Sequence, residues 1–221
     1  MDPNTALIIV DLQPDFLPGG ALAVPEGDAV LAPIRALLDA GDYATVVATQ
    51  DWHPAEHRSF AANHDARQVG EVIDLDGLDQ VLWPVHCVQD SPGAALHGAL
   101  EARRGRLDAV FQKGTELGVD SYSGFFDNGR RKATGLGDWL RERGVESVHV
   151  CGLALDYCVK FTALDALELG FATTLIADAT RAVNLQPGDG EAAVTALREA
   201  GAQVVDSAAL LANTAMQETA S

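Results

Sequence analysis

Val150-Cys151-Gly152-Leu153-Ala154-Leu155-Asp156-Tyr157-Cys158 is the stretch on which the reading of this 221-residue chain turns. The apolar run from Ser147 to Cys151 has the character of a buried strand, and Gly152 to Leu155 that of a tight turn. Asp156 reads as an N-cap. The apolar spacing through Val159, Ala163 and Leu167 predicts a helix that Gly170 ends. Cys158 then falls in the first helical turn, where free backbone N–H groups and the positive end of the helix dipole favour a thiolate. A strand, a turn and a helix that present a thiol form a nucleophile elbow with cysteine in place of serine. A free cysteine is more often a buried, inert side chain, so the reading needs partners elsewhere in the chain.

Outward from this stretch the same rhythm repeats. Strands are predicted at Ala6–Val10, Ala44–Thr49, Asp108–Gln112, Thr173–Ala177 and Gln203–Val205, and helices at Asp28–Ala40, Gly137–Arg143, Gly190–Ala200 and Ser207–Ala212. Strands separated by helices imply right-handed crossovers. The expected fold is α/β: a three-layer α/β/α, Rossmann-like domain spanning residues 1–221 around a mainly parallel six-stranded sheet. From about 51 to 105 the chain is irregular, and Asp74-Leu-Asp-Gly-Leu-Asp79 shows no strong period. This excursion, with a short helix near Ala95–Ala102, is expected to carry binding groups. The tail Glu218–Ser221 is expected to be mobile.

Composition narrows the function. A net charge of −17 repels phosphates and argues against nucleic acid, whereas a neutral small molecule meets no such barrier. No apolar run approaches the ~20 residues of a membrane helix. Met1-Asp-Pro-Asn-Thr5 lacks the basic start of a signal peptide, and three cysteines make no disulfide framework, so a cytoplasmic protein with reduced thiols is expected.

Ligands of parallel sheets sit beyond the carboxyl ends of the strands. Asp11, Asp51, Lys113 and Cys158 all fall at that edge. Near pH 7 a thiol is mostly protonated and needs a base or a cation. Asp11 can take the proton, and Lys113 can hold the carboxylate and stabilise the thiolate. Asp51-Trp-His53 places two ligand side chains on one side of an extended segment. His86, in Trp83-Pro-Val-His-Cys87, would complete a set of one carboxylate and two imidazoles. Such a set suits one divalent metal ion, zinc first, with iron or manganese open. His57 and Ser59 lie close enough in sequence to assist. Phe16, Trp83 and Tyr122 stand in the loops nearest these groups and could wall in a flat ring. Cys87, Cys151, His64, His97 and His149 have no partner pattern.

Several of these segments, V-D-L-Q-P-D-F, Q-D-W-H-P, W-P-V-H-C-V-Q, V-D-S-Y-S-G-F-F-D-N-G-R and G-L-A-L-D-Y-C-V, resemble those of nicotinamidases, within the isochorismatase-like cysteine hydrolase superfamily. The resemblance runs from about Ala6 to Ala212. It implies an Asp11-Lys113-Cys158 triad and an oxyanion hole made by the backbone N–H groups of Ala154 and Cys158. It also implies a cis peptide before Ala154, a metal on Asp51, His53 and His86, and Phe16 and Trp83 beside a pyridine ring. The implied activity is hydrolysis of nicotinamide to nicotinate and ammonia in NAD salvage, with pyrazinamide as a second substrate and no organic cofactor. The chain would act as a monomer or homo-oligomer. Leu155 departs from the pattern, since many relatives carry Thr there. A related N-carbamoyl or ureido amidohydrolase is the nearest rival, and a non-catalytic metal-binding or redox-sensing module is a remote one.

Overall fold

The computed structural model describes residues 4–218, with side chains described as far as residue 212. Its central sheet holds β1 (Thr5–Val10), β2 (Thr45–Asp51), β5 (Ala109–Lys113), β6 (Ser147–Leu153), β7 (Ala172–Arg181) and β8 (Gln203–Val205). The spatial order is β5-β2-β1-β6-β7-β8, and every neighbouring pair is parallel. The expected six-stranded parallel sheet is therefore present. Between the strands lie α1 (Leu31–Ala40), α2 (Gly98–Glu101), α3 (Leu136–Glu142), α4 (Lys160–Glu168) and α5 (Asp189–Glu199), and α6 (Ser207–Glu218) follows β8.

β1 explains the layering. All six of its residues are buried, as a central parallel strand whose apolar run spans Ala6 to Val10 requires. Leu7 and Ile9 pack in one core with Ile34, Leu37 and Leu38 of α1. Ala6, Ile8 and Val10 pack in the other with Leu140 of α3, Ala163 of α4 and Leu197 of α5. Truncating one such strand residue to alanine would cost roughly 2–5 kcal/mol.

The chain steps from β1 outward to β2 and β5, then returns beside β1 as β6 and continues through β7 and β8. The direction of winding reverses between β1 and β6, and a crevice opens at their carboxyl ends. Gly152 allows the two ends to meet. It has φ 109°, and a Cβ there would lie 2.0 Å from the Val10 carbonyl oxygen.

Some local expectations fail. β6 continues to Leu153, two residues past the expected end, whereas the cis Leu153–Ala154 peptide is the one the resemblance implied. A single π-helical turn, Leu155–Val159, precedes α4. Asp156 is not its N-cap. Ala154 holds that place, and the Asp156 carboxylate accepts instead from the backbone N–H groups of Val183 and Asn184, at 2.9 and 2.7 Å. A long-range pair of acceptor bonds thus replaces a local cap. The excursion also contains a hairpin, β3 (Val72–Leu75) with β4 (Leu78–Val81), where no period was visible. Asp74 faces Asp79 across it, and two like charges on half-exposed strands mask the alternation. Its signal is the Asp76-Gly77 turn, with φ 53° and 87°, a two-residue connection whose twist matches a hairpin. The short helix near Ala95–Ala102 contracts to α2. The tail beyond Glu218 lies outside the described residues, and Glu218 itself ends α6. Among the described residues no helix is long and apolar enough to cross a membrane.

Candidate active site

Each reactive side chain of the crevice sits at a strand end. Asp11 follows β1 with φ 45°, an uncommon conformation for a non-glycine residue that aspartate tolerates better than most. Asp51 and Lys113 end β2 and β5 and are paired in register, so they stand side by side. Cys158 comes from the π-helical turn after β6. Thus Asp11, Lys113 and Cys158 converge from three separate strands.

Lys113 is 2% exposed, so it is not a surface lysine. Its ammonium has three N–H bonds, and they go to Asp51 Oδ1 (2.8 Å), the Ser121 carbonyl (2.8 Å) and Cys158 Sγ (3.4 Å). Asp11 Oδ2 lies 2.8 Å from Lys113 Nζ in a buried ion pair. Asp11 Oδ1 is engaged by the Thr49 hydroxyl at 2.6 Å. One Asp11 oxygen is therefore fixed by Thr49 and the other faces the Lys113 ammonium.

The electrostatics suit proton transfer. Burial drives the Asp11 carboxyl above the usual range against the pull of Lys113, and Asp51 adds to the rise. Burial alone would lower Lys113, but Asp11 and Asp51 outweigh it and hold the amine well above its ordinary value, so it stays a cation. Burial pushes the Cys158 thiol well up; Lys113 pulls it down, and the Asp11 and Asp51 carboxylates push it up again. The resting pair is a thiol beside a basic carboxylate, with the cation placed to favour the thiolate once it forms.

The candidate metal ligands also meet. Asp51 Oδ2 lies 3.0 Å from His53 Nε2 and 3.5 Å from His86 Nε2, and all three side chains are buried. His53 Nδ1 is 2.8 Å from the Gly114 carbonyl and His86 Nδ1 is 2.8 Å from the Pro84 carbonyl. If each Nδ1 donates to its carbonyl, both Nε2 atoms carry lone pairs toward the carboxylate, the arrangement usual for ligating histidines. Asp51 divides its oxygens between Lys113 and this set. Without an ion the His53 ring is protonated instead, and although burial opposes it, that ring and Lys113 hold the Asp51 carboxyl well below the ordinary range. One carboxylate and two imidazoles at these distances fit a divalent ion with open positions. His57 and Ser59 lie one layer behind. The His57 ring is 4.4 Å from that of His53, its Nδ1 is 2.7 Å from Ser59 Oγ, and with His53 and Asp120 it forms a second, overlapping group of possible ligands.

Phe16, Trp83 and Tyr122 line one cavity together with Asp51, His86, Ala154 and Cys158. Trp83 Nε1 donates to Tyr122 Oη at 3.2 Å, which fixes the two rings edge to face. The Ala154 carbonyl accepts from the N–H groups of Tyr157 and Val159, the two neighbours of Cys158, at 3.2 and 3.0 Å. Leu22, Asp120, Tyr157 and Val183 line the cavity too, and sequence reasoning did not single them out. It also missed Gln13, whose fully buried amide binds both the N–H and the carbonyl of Asp51, each at 2.8 Å. Nothing local marks Gln13 or Thr49, because their partners are 38 residues away. The remaining candidates stay outside. His64 and His97 make local contacts, His149 bonds Tyr43, and Cys87 and Cys151 are buried thiols raised by burial.

Comparison with known proteins identifies the family of the chain. The family model "Isochorismatase domain" matches residues 5–209. The chain is 51% identical to a nicotinamidase of Escherichia coli (strain K12) over 202 residues, 90% of this chain and 93% of that one. Among solved structures, an Acinetobacter baumanii nicotinamidase and pyrazinamidase superposes with a TM-score of 0.90 at 41% identity, covering 95% of this chain and 99% of the other. A Pyrococcus horikoshii pyrazinamidase in complex with zinc superposes with a TM-score of 0.71 at 37% identity, covering 92% and 99%.

Proposed function

The chain belongs to the isochorismatase family, and from that premise we propose that it hydrolyses nicotinamide to nicotinate and ammonia through a thioester on Cys158. The observation that carries the reading is Asp11 Oδ2, buried beside the Lys113 ammonium and the Cys158 thiol, with Cys158 itself lining an aromatic cavity.

In the proposed sequence Asp11 takes the thiol proton at Oδ2, and the thiolate attacks the carboxamide carbon. Lys113 offsets the charge on both groups. The developing oxyanion is held by the backbone N–H groups of Ala154 and Cys158, and donors of this kind are commonly worth about 3–4 kcal/mol of barrier. As the C–N bond breaks, Asp11 returns its proton to the leaving ammonia. Water then attacks the thioester while Asp11 accepts its proton, and the thiol is restored as nicotinate departs. Phe16 and Trp83 hold the faces of the pyridine ring and exclude bulk water. Asp51, His53 and His86 would hold one divalent ion, with zinc the first choice and His57 and Ser59 in support. When bound, that ion supplies a Lewis acid for the ring nitrogen or for an ordered water. The role fits NAD salvage in the cytoplasm, with pyrazinamide as a second substrate.

The test is direct. Metal-replete protein given nicotinamide should release ammonia and nicotinate in equal amounts, and benzamide, which lacks the ring nitrogen, should be a poorer substrate. Metal-replete, folded protein that releases no ammonia from nicotinamide would sink the proposal.

A further inference from the structure

Tyr157 directly precedes Cys158 and lines two cavities at once. One is the cavity above the nucleophile. The other lies outside it, between the hairpin, α4 and α5, and is lined by Val81, Lys160, Phe161 and Ala192. Tyr122 is the only other residue common to both linings. The two tyrosines touch each other, with ring centroids 5.4 Å apart, and Tyr157 meets the Trp83 wall edge-on at 4.8 Å. Tyr122 is held in place through its hydroxyl, which accepts from Trp83 Nε1 and Gln80 Nε2, both at 3.2 Å.

We infer that Tyr157, backed by Tyr122, is the partition that limits the substrate to a single six-membered ring, and that it is the specificity-determining residue of the site. The inference rests on the nicotinamide reading. With the carboxamide at Cys158, the ring faces against Phe16 and Trp83, and the ring nitrogen toward Asp51 and His86, the remaining ring edge turns to the tyrosines. Space for a larger substituent exists beyond them, in the outer cavity, and Tyr157 closes it off. Tyr157 bonds no reacting atom, so its effect is on which amide fits.

The probe is quinoline-3-carboxamide, which is nicotinamide with a benzene ring fused to the edge away from the carboxamide. Its kcat/KM is compared with that of nicotinamide in metal-replete protein. Tyr157→Ala should raise the quinoline-to-nicotinamide ratio by at least about tenfold, the scale of size discrimination in an apolar pocket. Tyr157→Leu should give a smaller rise, and it carries the test if Tyr157→Ala does not fold. Ala192 is exposed on α5 and touches only the outer cavity. Ala192→Phe should leave wild-type nicotinamide turnover unchanged but cancel the gain when combined with Tyr157→Ala. An unchanged ratio in the folded Tyr157 variants, or a gain that Ala192→Phe does not diminish, would overturn the partition. Wild-type protein inert toward nicotinamide would instead defeat the functional reading on which the partition depends.

Discussion

Replacing Lys113 with methionine removes one charge from the centre of the site and keeps the apolar stem. The ammonium lies 3.4 Å from Cys158 Sγ and 2.8 Å from each of Asp11 Oδ2 and Asp51 Oδ1. At an effective dielectric of about 20, a unit charge pair at the sulfur distance is worth about 5 kcal/mol. At 1.36 kcal/mol per pKa unit that is roughly three to four units on the thiol, so the thiolate fraction near neutral pH should fall about a thousandfold. The carboxylates respond in the same direction. Burial already drives Asp11 upward against the pull of Lys113, so loss of the ammonium raises it further and shifts it toward the protonated form, which cannot act as the base. We expect kcat/KM for nicotinamide to fall by about 10³ or more, and alkylation of Cys158 by iodoacetamide to slow in parallel, with Cys158→Ala as the background for the other two thiols. Stability should drop by roughly 3–5 kcal/mol for the broken buried pairs, with circular dichroism showing a folded chain. Turnover and alkylation both within about threefold of wild type would refute the reasoning, because a solvated lysine would behave that way.

Cys158→Ala should abolish ammonia release in a folded protein, whereas Cys151→Ala, which alters a buried thiol in the core under β6, should keep most activity; equal loss in both would remove the special role of Cys158. Chelation should lower activity and added divalent metal restore it, and a His53→Ala, His86→Ala double variant should lose the metal by elemental analysis without global unfolding, so full metal content there would show the wrong ligands were chosen. Burial lowers His149 from 6.5 to about 4. Above pH 6.5 neither the native nor the unfolded state binds this proton. Below 6.5 the unfolded chain binds it first, so stability is lost as the pH falls toward 4. Urea titrations should show His149 contributing about 2 kcal/mol to the loss between pH 7 and pH 5, and His149→Gln should flatten the profile by that amount; an unchanged profile would contradict it.

The reactive residues were legible because strand ends repeat. Asp11, Asp51, Lys113 and Cys158 each close an apolar run or open the next helix, and a parallel sheet brings such positions to one edge. What was not legible depends on contacts across the fold. Thr49 and Gln13 look like ordinary strand and loop residues until the register of β1 and β2 sets them against Asp11 and Asp51. Asp156 was misread because an aspartate at a helix start has a strong local explanation, and its true partners, Val183 and Asn184, are supplied by the loop after β7. Tyr157 was passed over beside the cysteine because its importance lies in the second cavity it closes. The Asp76-Gly77 hairpin carried a clear local signal, which the aspartates on its strands obscured.

The central claim is that the amide carbon becomes bonded to Cys158 Sγ. Protein quenched in acid during steady turnover of nicotinamide can be weighed intact and mapped by peptide mass spectrometry. The account predicts a fraction of chains heavier by one nicotinoyl group, the adduct confined to the peptide containing Cys158 and absent from Cys158→Ala. Sustained ammonia release with no adduct at Cys158, together with turnover that survives in Cys158→Ala, would contradict it.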